Sequence, residues 1–466
     1  MSYIRIGKHY LHTAYLVLGA AEFIVLFGAL YALYFVQASL GFDPQINGST
    51  ALQALLFALV LSAGTLAMGV YLAMVQEGFI AMFFRTLVAF CFLGVIGLMV
   101  IYLFFPPGNP GSSNLFWAII LSTGVVVVTR SVFTRVVDSS SLSRRVVIYG
   151  SGQFAQQILD DYSQNMKSVG IQVIGCVPDT DSPSIDASLC LPKPVSWYQF
   201  CKQWRVSEIV IAPEERRSSN DELLADLMEC KLRGVEVTNA LDFYERSAKK
   251  AKVSLIYPSW ILYSEGFKAS KSRDATKRLV DLIISFALVV LLLPFIIGTA
   301  LAIFLETGRP ILYSQQRVGA LGKIFRIYKF RSMRQDAEKE GKAIWAQQND
   351  QRVTRVGAFI RNTRLDEIPQ LYNVVKGEMS IVGPRPERPE FVEQLKKEIP
   401  FYYTRHYVKP GLMGWAQLNY PYGASVEDAR GKLEYDLYYS KNHSFLIDLL
   451  IMIQTVEVVL LGKGVR

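Results

Sequence analysis

Histidine is nearly absent from this chain. His9, His12, His406 and His443 are the only four in 466 residues, too scattered for a His-rich metal site or an obvious Ser-His-Asp triad. Enzymatic chemistry would therefore fall to carboxylates, lysines or arginines. Cysteine offers no framework either. Cys91, Cys176, Cys190, Cys201 and Cys230 show no C-x-x-C spacing and read as reduced, half-buried thiols in a cytosolic region. No aromatic-basic RNA motif and no zinc finger accompanies the net charge of +9, so no nucleic-acid partner is expected. Lysine and arginine are missing from two loops, Gln37–Thr50 and the PPGNPGSSN segment Pro106–Asn114.

What the chain does have is apolar residues, 51% of the total. That share points to bilayer segments, and the positive charge then belongs on cytoplasmic loops facing anionic headgroups. Four apolar runs fill the first third: Leu11–Val36, Ala51–Val75, Arg85–Phe105 and Leu115–Val137. Each is long enough to span about 30 Å of hydrocarbon. The first is too long for a signal-peptide core and lacks a small-residue cleavage site. Arg5 and Lys8 precede the first run, and Arg130, Arg135, Arg144 and Arg145 gather around the end of the fourth. With the uncharged loops between, this predicts a cytoplasmic N-terminus and a return to the cytoplasm near Arg135. Glu22 lies inside the first run, and packing toward the bundle interior accounts for it.

A soluble α/β segment follows. Arg144–Tyr149 reads as a strand running into Gly150-Ser-Gly152-Gln-Phe-Ala155, with further strands near Gln172–Val177, Glu208–Ala212 and Val235–Thr238. Strands alternating with helices predict a parallel, Rossmann-like sheet. Gly150 and Gly152 would let backbone approach a nucleotide phosphate, and Asp179 is a candidate ribose contact somewhat later than the usual spacing. A structural or regulatory sheet without turnover explains the same pattern.

After a basic linker comes the hydrophobic run Leu279–Leu305. Lys268–Arg278 flanks it on one side, and Arg309, Arg317, Lys323, Arg326, Lys329 and Arg331 on the other. A spanning helix would put one basic flank outside, against the charge rule. Pro294 sits mid-run, where it removes a backbone hydrogen bond. A re-entrant helix that bends near Pro294 and returns to the cytoplasmic side is predicted.

Asp366 and Glu367 come just before Pro369 and the apolar stretch Ile368–Val375. Proline favours the first helical turn, so both acids are placed at a helix N-terminus, where the dipole favours their charged form. Acids before a helix are usually caps. Here, however, Arg361 and Arg364 precede them, Arg385 follows inside Gly383-Pro-Arg-Pro386, and Lys329 and Arg331 stand upstream in YKFRSM. Such cations suit a diphosphate. A carboxylate can hold Mg²⁺ together with substrate phosphates, or attack phosphorus itself.

The strings KFRSM, LDEIPQLYNVVKGEMSIVGPRP and KPGLMGWAQ resemble those of the bacterial monotopic phosphoglycosyl transferases, also called polyprenyl-phosphate sugar-phosphate or exopolysaccharide sugar transferases. The likeness runs from about Asp274 to the C-terminus. Four spans and a Rossmann-like domain ahead of it resemble the family's long form. The resemblance implies a UDP-sugar donor, an undecaprenyl phosphate acceptor and Mg²⁺ at Asp366. Asp366 would be the nucleophile and Glu367 its partner. Lys329, Arg331, Arg361, Arg385 and Gln417 would be substrate contacts. It also implies a bacterial inner membrane location with the catalytic domain on the cytoplasmic face, and is compatible with a homo-oligomer.

Two departures stand out. Leu293-Pro294 replaces the Ser-Pro pair of many short members, and Leu418-Asn419-Tyr420-Pro421-Tyr422 replaces the usual Val-Asn-Gly-Arg after Gln417. The expected layout is an α-helical transmembrane bundle (1–140), a cytosolic α/β Rossmann-like domain (141–250), a basic linker (251–277) and an α-rich monotopic catalytic domain (278–466). The rivals are a membrane-tethered nucleotide-sugar dehydratase using Tyr198 and Lys202, and a non-catalytic scaffold of polysaccharide assembly. Neither explains the Asp366 segment.

Overall fold

The computed structural model describes residues 3–6, 9–39, 48–67, 70, 78–95, 98–99, 112–136, 144–162, 171–179, 185–212, 221–267, 270–334, 352–421, 423 and 425–461. It divides into two compact units, Met1–Ala248 and Lys249–Arg466.

The first unit begins with an antiparallel pair, Tyr3–Ile6 with His9–His12. Helices Thr13–Ser39, Gly48–Ala67, Gly78–Val88 and Ser112–Val136 follow, the third continuing as a π-helical stretch over Ala89–Gly94. Leu26, Phe57, Leu61, Phe90 and Val126 are buried among them, while Val17, Ile24, Val128 and Val132 point outward. These helices thus carry apolar residues on their exposed faces as well as their buried ones. In this group, among the described residues, Trp117–Arg135 is the stretch long and apolar enough to cross a membrane. Val17–Leu33, Ala51–Thr65 and Met82–Cys91 are shorter apolar stretches.

Glu22 is a packing residue, and the partner the sequence does not reveal is Arg130. The Arg130 guanidinium donates to both Glu22 carboxylate oxygens, at 2.6 and 2.7 Å, and to Thr86 Oγ1 at 2.5 Å. All three side chains are buried, so the first and fourth helices are tied by a desolvated ion pair. Glu22→Gln alone leaves the arginine charge uncompensated and should cost about 3–5 kcal/mol, whereas Glu22→Leu with Arg130→Leu should recover most of it. Thermal unfolding in detergent checks this; an unchanged midpoint in the single variant contradicts it.

Four parallel strands complete the unit: Arg144–Tyr149, Ile171–Val177, Glu208–Ile211 and Glu236–Asn239. Their spatial order is second, first, third, fourth, the doubly wound arrangement anticipated from alternating strands and helices. Gly150 leaves the first strand at φ 132°, a conformation that suits glycine. Gly152 then stands at the N-cap of helix Gln153–Asp161. Asp179 does not stand free for a ribose. Its Oδ1 accepts from Ser151 N at 2.9 Å and Ser151 Oγ at 2.8 Å, so its carboxylate closes the glycine loop from within.

The second unit is built on helix Lys271–Thr307, capped by Ser270. It continues without interruption through Pro294, and its length and composition would let it cross a membrane. Antiparallel strands Leu312–Val318 and Ile324–Phe330 follow. Next come helix Arg355–Asn362, a 3₁₀ helix Leu365–Gln370 and helix Leu371–Lys376. Short strands Ser380–Val382 and Gly411–Met413 pair in parallel. Helices Pro389–Glu398, Trp415–Asn419, Val426–Asn442 and Phe445–Leu461 complete the unit. Ile327, Leu371, Val374, Ile381, Trp415, Tyr439 and Ile451 form its core.

Two buried acids bind the long helix to that core. Asp281 Oδ1 accepts from Ser380 Oγ and Ile381 N, both at 3.0 Å. Asp448 takes Lys277 Nζ at 2.5 Å and Tyr439 Oη at 2.8 Å. The described part of the segment read as a linker is not a free tether. Val253, Leu255 and Trp260 are buried, Ala251 N donates to Glu434 O at 2.9 Å, and Lys441 lies over the Trp260 ring.

Candidate active site

Arg364 adopts a left-handed conformation, φ 59° and ψ 13°, and turns the chain from helix Arg355–Asn362 into the 3₁₀ helix. Leu365, Ile368 and Leu371 then face the core at a spacing of three. The intervening acids are held at the surface of that core, Asp366 at 8% and Glu367 at 7% exposure. Pro369 lies inside the 3₁₀ helix rather than opening a helix, but both acids do fall in a first turn. Asn373, passed over in the sequence, fixes this element to the strand carrying Lys329. Its Nδ2 donates to Arg326 O at 2.7 Å and its Oδ1 accepts from Tyr328 N at 3.2 Å. An amide in the middle of the apolar stretch Leu371–Val375 was the available signal.

The two acids have opposite surroundings. Glu367 Oε1 receives Lys329 Nζ and Arg385 Nη2, each at 3.0 Å, with Arg364 Nη1 at 3.9 Å. Burial pushes its carboxyl up, but Arg385 and Lys329 outweigh it and hold the group well below the usual carboxylate range. Asp366 makes no hydrogen bond or ion pair among the described residues. Burial raises its carboxyl above the ordinary value, against the pull of Lys329. Desolvation thus opposes the charged form that a place in a first helical turn favours. One acid is an anion fixed by two cations, and the other a more basic carboxyl with no partner of its own among the described residues.

Burial lowers Lys329, with Glu367 opposing the shift. The pH dependence follows from these directions. Activity that needs Asp366 ionised and Lys329 charged should fall on the acid side above the pH where an ordinary aspartate protonates. It should fall on the alkaline side below the pH where an ordinary lysine discharges. A pH–rate profile of product release checks it, and limbs at the ordinary values contradict it.

Arg385 sits on a loop braced from three directions. Arg405 Nη2 donates to Arg385 O at 2.9 Å, and Arg317 Nη1 to Pro386 O at 3.1 Å. Gly411 N donates to Pro384 O at 2.9 Å, and Gly383 N to Met413 O at 2.8 Å. A Cβ on Gly411 would lie 2.0 Å from Gly383 N, so the KPGLMGW glycines serve close approach to the GPRP loop. Arg405 itself is buried against Asp436 at 2.7 Å and Tyr402 Oη at 2.8 Å. Sequence reading passed over Arg405 and Asp436 and gave Arg317 only a place in the basic flank of the long helix; the three lie far apart along the chain and belong to no motif.

The other anticipated contacts divide. Arg361, partly buried, has no hydrogen bond or ion pair among the described residues and keeps its guanidinium available. Gln417 is exposed on helix Trp415–Asn419. Arg331 is committed elsewhere: its Nη2 donates to Thr307 O, Thr307 Oγ1 and Gly308 O at 3.0, 2.6 and 2.6 Å. It caps the C-terminal end of the long helix, where unpaired carbonyls attract cations. Trp415 is a core residue, its Nε1 donating to Lys249 O at 2.9 Å, so packing and not base stacking explains it. In the divergent loop, Tyr420 Oη donates to Asp428 at 3.3 Å, while Tyr422 lies outside the described residues. His406 is buried and pushed down to about 4. It is neutral at pH 7.

Comparison with known proteins identifies the family. The profile described as "Bacterial sugar transferase" matches residues 272–462. The UDP-glucose:undecaprenyl-phosphate glucose-1-phosphate transferase of Klebsiella pneumoniae is 30% identical over 350 residues, 73% of this chain and 74% of that protein. The chain belongs to the bacterial sugar transferase family. The sugar transferase EpsL of Bacillus subtilis is 38% identical over 41% of this chain and 90% of its own length. The UDP-N-acetylgalactosamine-undecaprenyl-phosphate N-acetylgalactosaminephosphotransferase of Aeromonas hydrophila is 38% identical over 58% of this chain, and the match spans 65% of that protein. The family is one of phosphoglycosyl transferase enzymes, which removes the scaffold reading. The dehydratase pair gains nothing: Tyr198 is stacked beneath Arg233, 4.3 Å from the ring centroid.

Proposed function

We propose that this transferase moves a sugar 1-phosphate from a UDP-sugar to undecaprenyl phosphate through a phosphosugar intermediate on Asp366. The observation that carries this reading is the asymmetry of the acid pair: Glu367 locked by Lys329 and Arg385, Asp366 buried, more basic and unengaged. An Asp366 carboxylate oxygen attacks the sugar-bearing phosphorus. The bond to the bridging oxygen breaks, and UMP leaves with the electron pair. An oxygen of undecaprenyl phosphate then attacks the same phosphorus, and the acyl phosphate bond breaks to return the Asp366 carboxylate.

Lys329, Arg361 and Arg385 supply positive charge for the diphosphate. Glu367 keeps Lys329 and Arg385 placed beside the nucleophile. Asp366, with its oxygens unengaged, fits the way Mg²⁺ is held by one carboxylate together with substrate phosphates. The ion would neutralise diphosphate charge.

The reading places the Lys271–Thr307 helix as a re-entrant element, supported by its two basic flanks, although the helix runs unbroken through Pro294 where a bend was expected. The N-terminal helices form a four-span bundle, and the catalytic unit lies on the cytoplasmic face of the bacterial inner membrane. The step served is the first membrane step of exopolysaccharide synthesis. The relatives' names give glucose and N-acetylgalactosamine as transferred sugars, so a UDP-sugar panel headed by these two is the assay. The purified protein with Mg²⁺ and a UDP-sugar, before acceptor is added, should release about one UMP per active site. Release that appears only with undecaprenyl phosphate overturns the covalent intermediate.

A further inference from the structure

An apolar groove of about 500 Å³ runs along the second half of the Lys271–Thr307 helix. Such a volume lies within the ~300–1,000 Å³ of small-molecule sites. One wall is Phe295, Gly298 and Ala302, residues spaced to share a helix face. The other is Val356 and Phe359, on the helix that leads into the acid pair. The aromatic rings of both walls are open to the surroundings, Phe295 at 58% and Phe359 at 63% exposure.

The groove is preformed. Glu306 accepts from Arg355 N at 2.9 Å and Val356 N at 3.2 Å, fixing one helix on the end of the other. Gly357 lies so close to Ser332 that a Cβ would be 2.0 Å from its carbonyl oxygen. Two further features give the groove a direction. Leu365, which lines it, is the residue before Asp366. Arg355 lines it with an exposed guanidinium that has no hydrogen bond or ion pair among the described residues.

We infer that this groove receives the first isoprene units of the polyprenyl phosphate acceptor, with Arg355 as a cation for its phosphate. The inference rests on the transfer reading above. An ordinary bilayer acyl chain would gain nothing from a groove lined by the neighbour of Asp366 and by an arginine. A lipid whose own phosphate must reach Asp366 needs both the apolar walls and the cation.

Gly298 supplies the test. A Cβ there meets nothing within 4 Å, so Gly298→Phe fills the groove without striking backbone and is favourable for a helix interior. Full-length protein in vesicles is titrated with undecaprenyl phosphate and, separately, with the UDP-sugar. The KM for the acceptor should rise about tenfold or more, a loss of about 1.4 kcal/mol per decade, with the UDP-sugar KM within about twofold of wild type. Arg355→Gln should shift the acceptor KM in the same direction. An unchanged acceptor KM in Gly298→Phe overturns the assignment, as does an equal rise in both KM values. If the wild type releases no UMP before acceptor is added, the covalent reading falls, while the acceptor titration still decides the groove.

Discussion

Asp366→Asn should lower UMP release by on the order of 10⁴-fold or more, as loss of a nucleophile does elsewhere. Asparagine keeps the size and the turn but has no anionic oxygen to attack phosphorus. Glu367 cannot take over. Its Oε1 is held by Lys329 and Arg385 at 3.0 Å, and those cations make its carboxylate too weakly basic for the task. Two measurements check this together: UMP release, and the mass of the peptide containing position 366 after quenching. The wild type should carry a phosphosugar on that peptide and the variant none. Activity within tenfold of wild type would remove Asp366 from the mechanism.

Arg405→Met should be the most destabilising single change in the second unit. The arginine is buried against Asp436 at 2.7 Å, Tyr402 Oη at 2.8 Å and the carbonyl of Arg385 at 2.9 Å. Burial pushes the Asp436 carboxyl up to about 6, with Arg405 opposing the rise, so the pair depends on mutual compensation. Removing the cation leaves a buried carboxylate and should cost about 3–5 kcal/mol. Denaturant unfolding of the full chain reads that loss. Arg405→Met with Asp436→Leu should regain most of the stability but not the activity, because the Arg385 main chain still lacks its anchor. Full activity in the double variant would show that Arg405 serves folding alone.

The acid pair, its arginines and the basic flanks of the long helix were legible because they lie in continuous motifs. So were the four strands of the α/β sheet, where apolar runs end at glycine or polar residues. Arg331 shows the limit. Its motif suggested phosphate contact, yet its guanidinium closes a helix end twenty-odd residues upstream, because a desolvated carbonyl terminus is a stronger attractor than its place in the motif implied. Asp179 shows another: expected as a ribose contact, its carboxylate instead accepts from Ser151 N and Oγ in the glycine loop.

The sequence by itself determined which residues carry charge near the catalytic turn, where apolar segments fall, and which family's motifs they belong to. These are local properties, set by residue type and spacing. Only the tertiary structure decided which of the two acids is free. That depends on Lys329 and Arg385 arriving from a strand and a loop on either side and both choosing Glu367. The same holds for the Glu22–Arg130 pair and the Arg405–Asp436 brace. Burial strengthens each interaction, and burial is a property of the folded chain that no spacing along it records.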